Sequence, residues 1–109
     1  MGKWGAIRMT RMMYGDQPFD PEVEDIVVQV TENFKPRIGP PYIFSDKELA
    51  SLTMPVLLLG GTKDVIYNIN QIASRLSDLL PKLTVQILPG AGHALIDTVN
   101  QVTAFLTKV

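Results

Sequence analysis

The stretch from Met54 to His93 limits this chain more than any other. It reads as MPVLLL, then GGTKDVIY, then NINQIASRLSDLLPK, then LTVQILP, then GAGH. Val56 to Leu59 is apolar without alternation, the pattern of a parallel strand covered on both faces, and Gly60-Gly61 is expected to end it. Asn68 caps a helix in which Ile69, Ile72, Ala73, Leu76, Leu79 and Leu80 form one apolar stripe, and Pro81 stops it. Leu83, Val85 and Ile87 then alternate with Thr84 and Gln86, which suits a strand over 84–88 at the sheet edge with one wetter face. Strands joined by a crossover helix run parallel, and such crossovers are right-handed almost without exception. Both following loops therefore leave the sheet at the same edge, where ligands bind in sheets of this kind.

The first loop carries Asp64 and the second carries His93, the single histidine. Adjacent parallel strands lie ~4.8 Å apart, close enough for the two side chains to meet. A carboxylate that accepts from one imidazole nitrogen selects the tautomer whose other nitrogen can take a proton from a nucleophile. Simpler roles compete at both positions. Asp64 serves equally well as a turn residue, bonding its own backbone, and His93 as a residue that helps start the last helix. Asp97 is an alternative acid, expected in the first turn of that helix, where an acid is ordinary. Gly90 and Gly92 suggest a phosphate loop, but the dinucleotide fingerprint wants a glycine where Leu95 stands. One histidine and no cysteine argue against a zinc site; no metal and no cofactor are expected.

The rest of the chain supplies helices. Residues 3–13 are weakly helical, with Trp4, Ile7, Met12 and Met13 on one side and Gly5 against. Trp4, Met9, Met12 and Met13 are read as packing residues, with the lining of an acyl pocket as the alternative. After the loop YGDQPFDP, Asp20 caps a helix whose first position is Pro21. Val23, Ile26, Val27, Val30 and Phe34 make its apolar face, Glu22, Glu24, Asp25, Gln29 and Glu32 its polar one, and it ends before Pro36. KPRIGPPYIF is the clearest boundary in the chain. Ser45-Asp46-Lys47-Glu48 fits a capping box opening a short helix to about Ser51. Ile96, Val99, Val102, Phe105, Leu106 and Val109 predict an amphipathic last helix. Residues 1–52 are thus helices and loops, and the sheet signal lies in 53–109.

With 109 residues, 46% apolar and 19% charged, the chain is one small domain or a piece of one, able to bury roughly 65% of its unfolded surface. A net charge of −1 steers it to neither nucleic acid nor an anionic membrane. No run reaches the ~18 apolar residues of a span. Arg8 and Arg11 interrupt the one candidate leader, so a cytoplasmic protein is expected. The strand pattern leaves a conflict. A two-stranded sheet is marginal alone, yet 56–59 reads as a central strand with a neighbour on each edge. One neighbour is the 84–88 strand and the other is not in these residues. An open VLLL edge is an association site, so a homo-oligomer formed through it, or a larger protein that completes the sheet, is expected.

MPVLLLGGTKDVI and LPGAGHAL resemble the C-terminal end of the α/β-hydrolase fold, especially its esterase-like members. The resemblance covers about residues 53–109. It implies that Gly61, Thr62, Lys63 and Asp64 form the loop of the triad acid and that Gly92 and His93 form the loop of the triad base. It also implies that the last helix packs on the sheet and that residues 1–52 are a helical cap-like segment. The fold expected is therefore α/β: a partial three-layer α/β-hydrolase fold with two parallel strands and flanking helices. The sequence departs from the family in one respect. The nucleophile of the family sits in a G-x-S-x-G elbow upstream of acid and base, and Ser45, Ser51, Ser74 and Ser77 stand in no such motif. The resemblance thus implies a C-terminal portion of a serine hydrolase acting on a small-molecule ester, inactive without the N-terminal half. The alternatives are a non-enzymatic module that completes its sheet by self-association and, more distantly, a small binding domain built on the PGAG loop.

Overall fold

The computed structural model of the chain describes every residue except Met1, Phe19 and residues 36–38. The elements are α1 (Lys3–Tyr14), α2 (Pro21–Asn33), α3 (Asp46–Ala50), β1 (Val56–Gly61), α4 (Ile69–Leu79), β2 (Leu83–Leu88) and α5 (Val99–Lys108). β1 and β2 pair in parallel, from Val56 opposite Leu83 to Gly61 opposite Leu88, so both strands end level. No strand pairs with the other edge of β1 among the described residues.

The local start signals act as the sequence predicts. The Asp20 carboxylate accepts from the Glu22 amide at 2.8 Å, with Pro21 at the first helical position. Ser45 and Glu48 form the reciprocal capping box of α3. Asn68 Oδ1 accepts from the amides of Asn70 and Gln71 at the start of α4. Tyr42 reinforces the capping box, its hydroxyl donating to Glu48 at 2.9 Å. β1 differs at its end, because Gly60 and Gly61 belong to the strand. A Cβ on Gly60 would collide with the Ile69 side chain, and one on Gly61 with the backbone of Ala91. The glycines are therefore the last two residues of the strand, at the places where α4 and the loop after β2 press on it.

Among the described residues the buried apolar ones are few: Ala6, Val28, Ile69, Leu80 and Ala91. α4 turns its stripe inward as predicted, with Ile69 and Leu80 buried and Ile72, Ala73, Leu76 and Leu79 half-buried. α1 and α2 do not. They pack together with Ala6 and Thr10 of α1 and Val28 of α2 buried, the Thr10 hydroxyl donating to the Ala6 carbonyl at 2.8 Å and Arg11 Nη2 to Glu24 Oε1 at 3.3 Å. The predicted faces look outward: Trp4 is 88% exposed, and Val23, Ile26, Val30 and Phe34 are all exposed. α5 likewise leaves Val99, Leu106 and Val109 exposed, and its first turn begins three residues after Ile96. Helix periodicity locates an apolar stripe, but burial needs a surface to meet it; α4, the crossover, has the sheet beneath its stripe, whereas α5 meets β2 at a cleft that Ala104 and half-buried Phe105 line with Leu83, Thr84 and Gln86.

The whole molecule carries the mark of this shortage. Its accessible surface is 8189 Å², against about 6,000 Å² for a compact monomer of this mass. Its radius of gyration is 16.2 Å, against about 13 Å for a compact domain of this length. No helix among the described residues is long and apolar enough to cross a membrane.

Candidate active site

The level ends of β1 and β2 set three chain segments against one another: residues 62–67 after β1, residues 89–96 after β2, and residues 13–17 at the end of α1. Main-chain bonds lace them together. The Thr62 amide donates to the Leu88 carbonyl at 3.2 Å and the Lys63 amide to Ala91 at 2.8 Å. The Gly92 amide donates to Tyr14 at 3.0 Å, the Ala94 amide to Met13 at 2.8 Å and the Asp16 amide to Gly90 at 2.7 Å. Gly15 and Ala91 form an isolated antiparallel bridge. A Cβ on Gly92 would strike the Met13 carbonyl, so the close approach of α1 requires glycine there.

Within this cluster Asp64 and His93 meet. His93 Nδ1 lies 3.1 Å from Asp64 Oδ2, across 29 residues of sequence. An ionised carboxylate only accepts, so Nδ1 carries the proton, and in the neutral ring Nε2 then has the lone pair. Asp64 divides its two oxygens between two tasks. Oδ2 faces His93, while Oδ1 accepts from the Ile66 amide at 2.8 Å and the Tyr67 amide at 3.0 Å. The turn role and the histidine-binding role are thus both true of Asp64. The turn fixes the carboxylate, which then presents its second oxygen to the ring. The Asp64 side chain is 8% exposed and that of His93 34%. Burial works to raise the Asp64 pKa, but the Tyr67 amide, the hydrogen bond from His93, the Ile66 amide and the attraction of the imidazole together outweigh it. The carboxyl is held below the ordinary value of 3.8. The Tyr67 ring lies against the imidazole, centroids 5.4 Å apart and tilted by 54°.

The competing roles fare differently. His93 does not start the last helix, which begins at Val99 behind the cap position Thr98. Asp97 is not in the first turn of α5. It precedes the cap, exposed and with φ of 54°, a left-handed conformation that aspartate tolerates. The phosphate-loop idea fails for a physical reason: the amides it would use are taken. Gly90 donates to Thr62 Oγ1 at 2.8 Å, Ala91 to the Leu88 carbonyl and Gly92 to Tyr14. The hydroxyls of Ser45, Ser51 and Ser77 bond to their own helices. Trp4, Met9 and Met12 are exposed, contrary to the packing expected of them, and only Met13 is half-buried. Trp4, Ile7, Arg8 and Met12 instead line one side of an open groove of about 580 Å³, with Lys63 and Val65 on the other. Among the described residues no group of three or more His, Cys, Asp or Glu side chains is arranged to hold a metal ion.

One residue of this cluster escaped the sequence reading. Gln17 donates to the carbonyls of Tyr14 and Ala94, each at 2.7 Å, and accepts from the Ile96 amide at 3.0 Å. A lone glutamine in a loop, remote in sequence from its partners, carries no motif that would mark it.

No family model matches the chain. Two Bacillus subtilis proteins, the uncharacterized carboxylesterase nap and carboxylesterase YbfK, are each 40% identical to it over 57 residues. That stretch is 52% of this chain and 19% of each relative. The crystal structure of carboxylesterase CesB (YbfK) from Bacillus subtilis aligns with a TM-score of 0.75 at 32% identity, over 99% of this chain and 42% of that one. A serine hydrolase involved in carbazole degradation aligns with a TM-score of 0.70 at 15% identity, which shows a common fold alone. The chain spans less than half the length of these proteins. Two level parallel strands, flanking helices and similarity to carboxylesterases agree, and the chain corresponds to the C-terminal portion of an esterase-like protein of the α/β-hydrolase fold.

Proposed function

We propose that this chain supplies the acid, Asp64, and the base, His93, of a Ser-His-Asp triad in a carboxylic ester hydrolase, and that the serine comes from the rest of the sheet. The observation that carries the reading is the 3.1 Å contact between His93 Nδ1 and a nearly buried carboxylate at the carboxyl ends of two parallel strands. In the proposed reaction the serine Oγ bonds to the ester carbonyl carbon and its proton passes to His93 Nε2. Asp64 stabilises the imidazolium. Collapse of the tetrahedral intermediate expels the alcohol, which takes that proton, and water then releases the acid by the same two steps. The chemistry needs no metal or cofactor. In this reading residues 1–52 are a helical cap-like segment and 53–109 the βαβα end of the hydrolase, and the substrate is a small-molecule ester.

The chain alone is expected to be inactive, since losing a triad nucleophile costs on the order of 10⁶ in turnover in a well-studied serine protease. The test is complementation: this chain is mixed or co-expressed with an esterase N-terminal portion that ends before its acid strand and carries G-x-S-x-G. Hydrolysis of short nitrophenyl esters should arise only in the mixture and vanish with His93→Ala. Equal hydrolysis by the chain alone would overturn the reading.

A second reading rests on a separate observation, the open edge of β1 together with roughly 2,000 Å² more exposed surface than a compact monomer shows. Two copies pairing along that edge would form a homo-oligomer. That excess is in the range of obligate interfaces. Light scattering at micromolar concentration tests it; a monomer with a cooperative melt would exclude it.

A further inference from the structure

The position of the His93 ring relative to Asp64 is set by the backbone of residues 92–96, because a histidine side chain has only two rotatable bonds. That backbone is poorly determined by its own sequence. Gly90 and Gly92 precede the histidine, Gly90 has φ of 77°, and α5 does not begin until Val99. What holds it is the end of α1. The Tyr14 and Met13 carbonyls accept from Gly92 and Ala94. Half-buried Gln17 reaches past them: Nε2 donates to the Ala94 carbonyl at 2.7 Å and Oε1 accepts from the Ile96 amide at 3.0 Å. These bonds span 77 and 79 residues and grip the first and third residues after His93. The remaining Nε2 hydrogen ties Gln17 to the Tyr14 carbonyl, at 2.7 Å, the same oxygen that receives the Gly92 amide.

We propose that Gln17 is a positioning residue for His93: its amide clamps the peptide after the histidine to the end of α1 and so seats the imidazole against Asp64. The proposal rests on the reading of His93 as the base and adds a consequence. The outer face of α1 lines the groove that Lys63 and Val65 close on the other side. The seat of the imidazole therefore depends on the helix that borders this groove, and Gln17 is the side chain that connects them. Without the amide, the Ala94 carbonyl and the Ile96 amide turn to water and the ring is no longer held to one partner.

The test reads the ring nitrogens of His93, the single histidine, by nitrogen-15 NMR of the whole chain at a pH where the imidazole is neutral. The wild type is expected to show a protonated Nδ1 and a bare Nε2. Gln17→Met keeps the length of the side chain and removes all three bonds. It is expected to shift the ring toward the tautomer mixture of an unrestrained imidazole in water, with far-ultraviolet circular dichroism unchanged. A wild-type tautomer in Gln17→Met would overturn the proposal and leave the Asp64–His93 pair standing. A tautomer mixture already in the wild type would overturn both. A second measurement needs no variant: the Gln17 side-chain amide protons of the wild type should exchange slowly and show contacts to residue 94. Exchange as fast as that of an exposed glutamine would overturn the proposal even if Gln17→Met failed to fold. Absence of esterase activity on complementation would count against the triad reading and leave these readouts unchanged.

Discussion

α2 and α4 are two amphipathic helices of similar length with the same kind of start. Asp20 caps one and Asn68 the other, each accepting from a first-turn amide. Both carry apolar residues at helical spacing. Yet Ile69 of α4 is 7% exposed, while Ile26 of α2 is 61% exposed. The difference lies outside the helices. α4 is the crossover between β1 and β2, so the chain itself delivers the surface that covers its stripe. α2 packs against α1, where Ala6, Thr10 and Val28 are buried and Arg11 reaches Glu24 at 3.3 Å. A stripe is a demand for a partner, and the chain meets that demand in one of its two halves.

The largest expected effect is on the site that the well-covered half builds. In the complemented hydrolase, His93→Ala should lower turnover by on the order of 10⁶, as for the equivalent loss in a serine protease, with binding of the two portions intact by size-exclusion chromatography. A small loss would mean that His93 is not the base. Next comes packing. Ile69→Ala should destabilise the chain by about 2–5 kcal/mol in urea titrations, whereas Ile26→Ala should change it by less than ~0.5 kcal/mol. Equal costs would show that α2 is covered after all. If Ile26→Ala becomes costly only when a partner is added, the partner sits on that face. Gly92→Val should cost about 1–3 kcal/mol through its clash with the end of α1; a neutral result would show that α1 does not press on the loop.

The caps should not distinguish the two helices. Asp20→Ala and Asn68→Ala should each cost about 1 kcal/mol, since a cap acts on its own helix whatever covers the stripe. The smallest effect is the pH dependence of Asp64. Its pKa is lowered in the fold, so its contribution is fully present above the ordinary value of 3.8 and is lost as the pH falls below it. Asp64→Asn should flatten the stability–pH curve in that acid range; an unchanged slope would show that the carboxylate is not held ionised.

Legibility followed the range of the interactions. The caps at Asp20, Ser45 and Asn68 involve residues a few positions apart and were readable from the sequence. So was the parallel pairing of β1 and β2, because a crossover helix of ordinary length joins them. The Asp64–His93 contact was readable because topology brings their loops to one edge. β1 runs two residues past its apolar pattern, since Gly-Gly usually marks a turn and here marks the places where Ile69 and Ala91 need room. α5 starts later than its apolar pattern predicts: Ile96 and Asp97 suit a helix by type, while the Ile96 amide is bonded to Gln17 outside it. Pro36, expected as a helix stop, lies outside the described residues.

The order of the elements, the caps at Asp20, Ser45 and Asn68, and the two residues that meet at the ends of the strands follow from the sequence alone, because each depends on neighbours in the chain or on one short crossover. The tertiary structure decided which apolar faces are covered and which stand open. It also decided that Asp64 splits its oxygens between a turn and a histidine, and that the end of α1 reaches across to hold the loop of His93. These depend on contacts between residues far apart in sequence, whose side chains carry no periodicity and whose partners the chain order does not name.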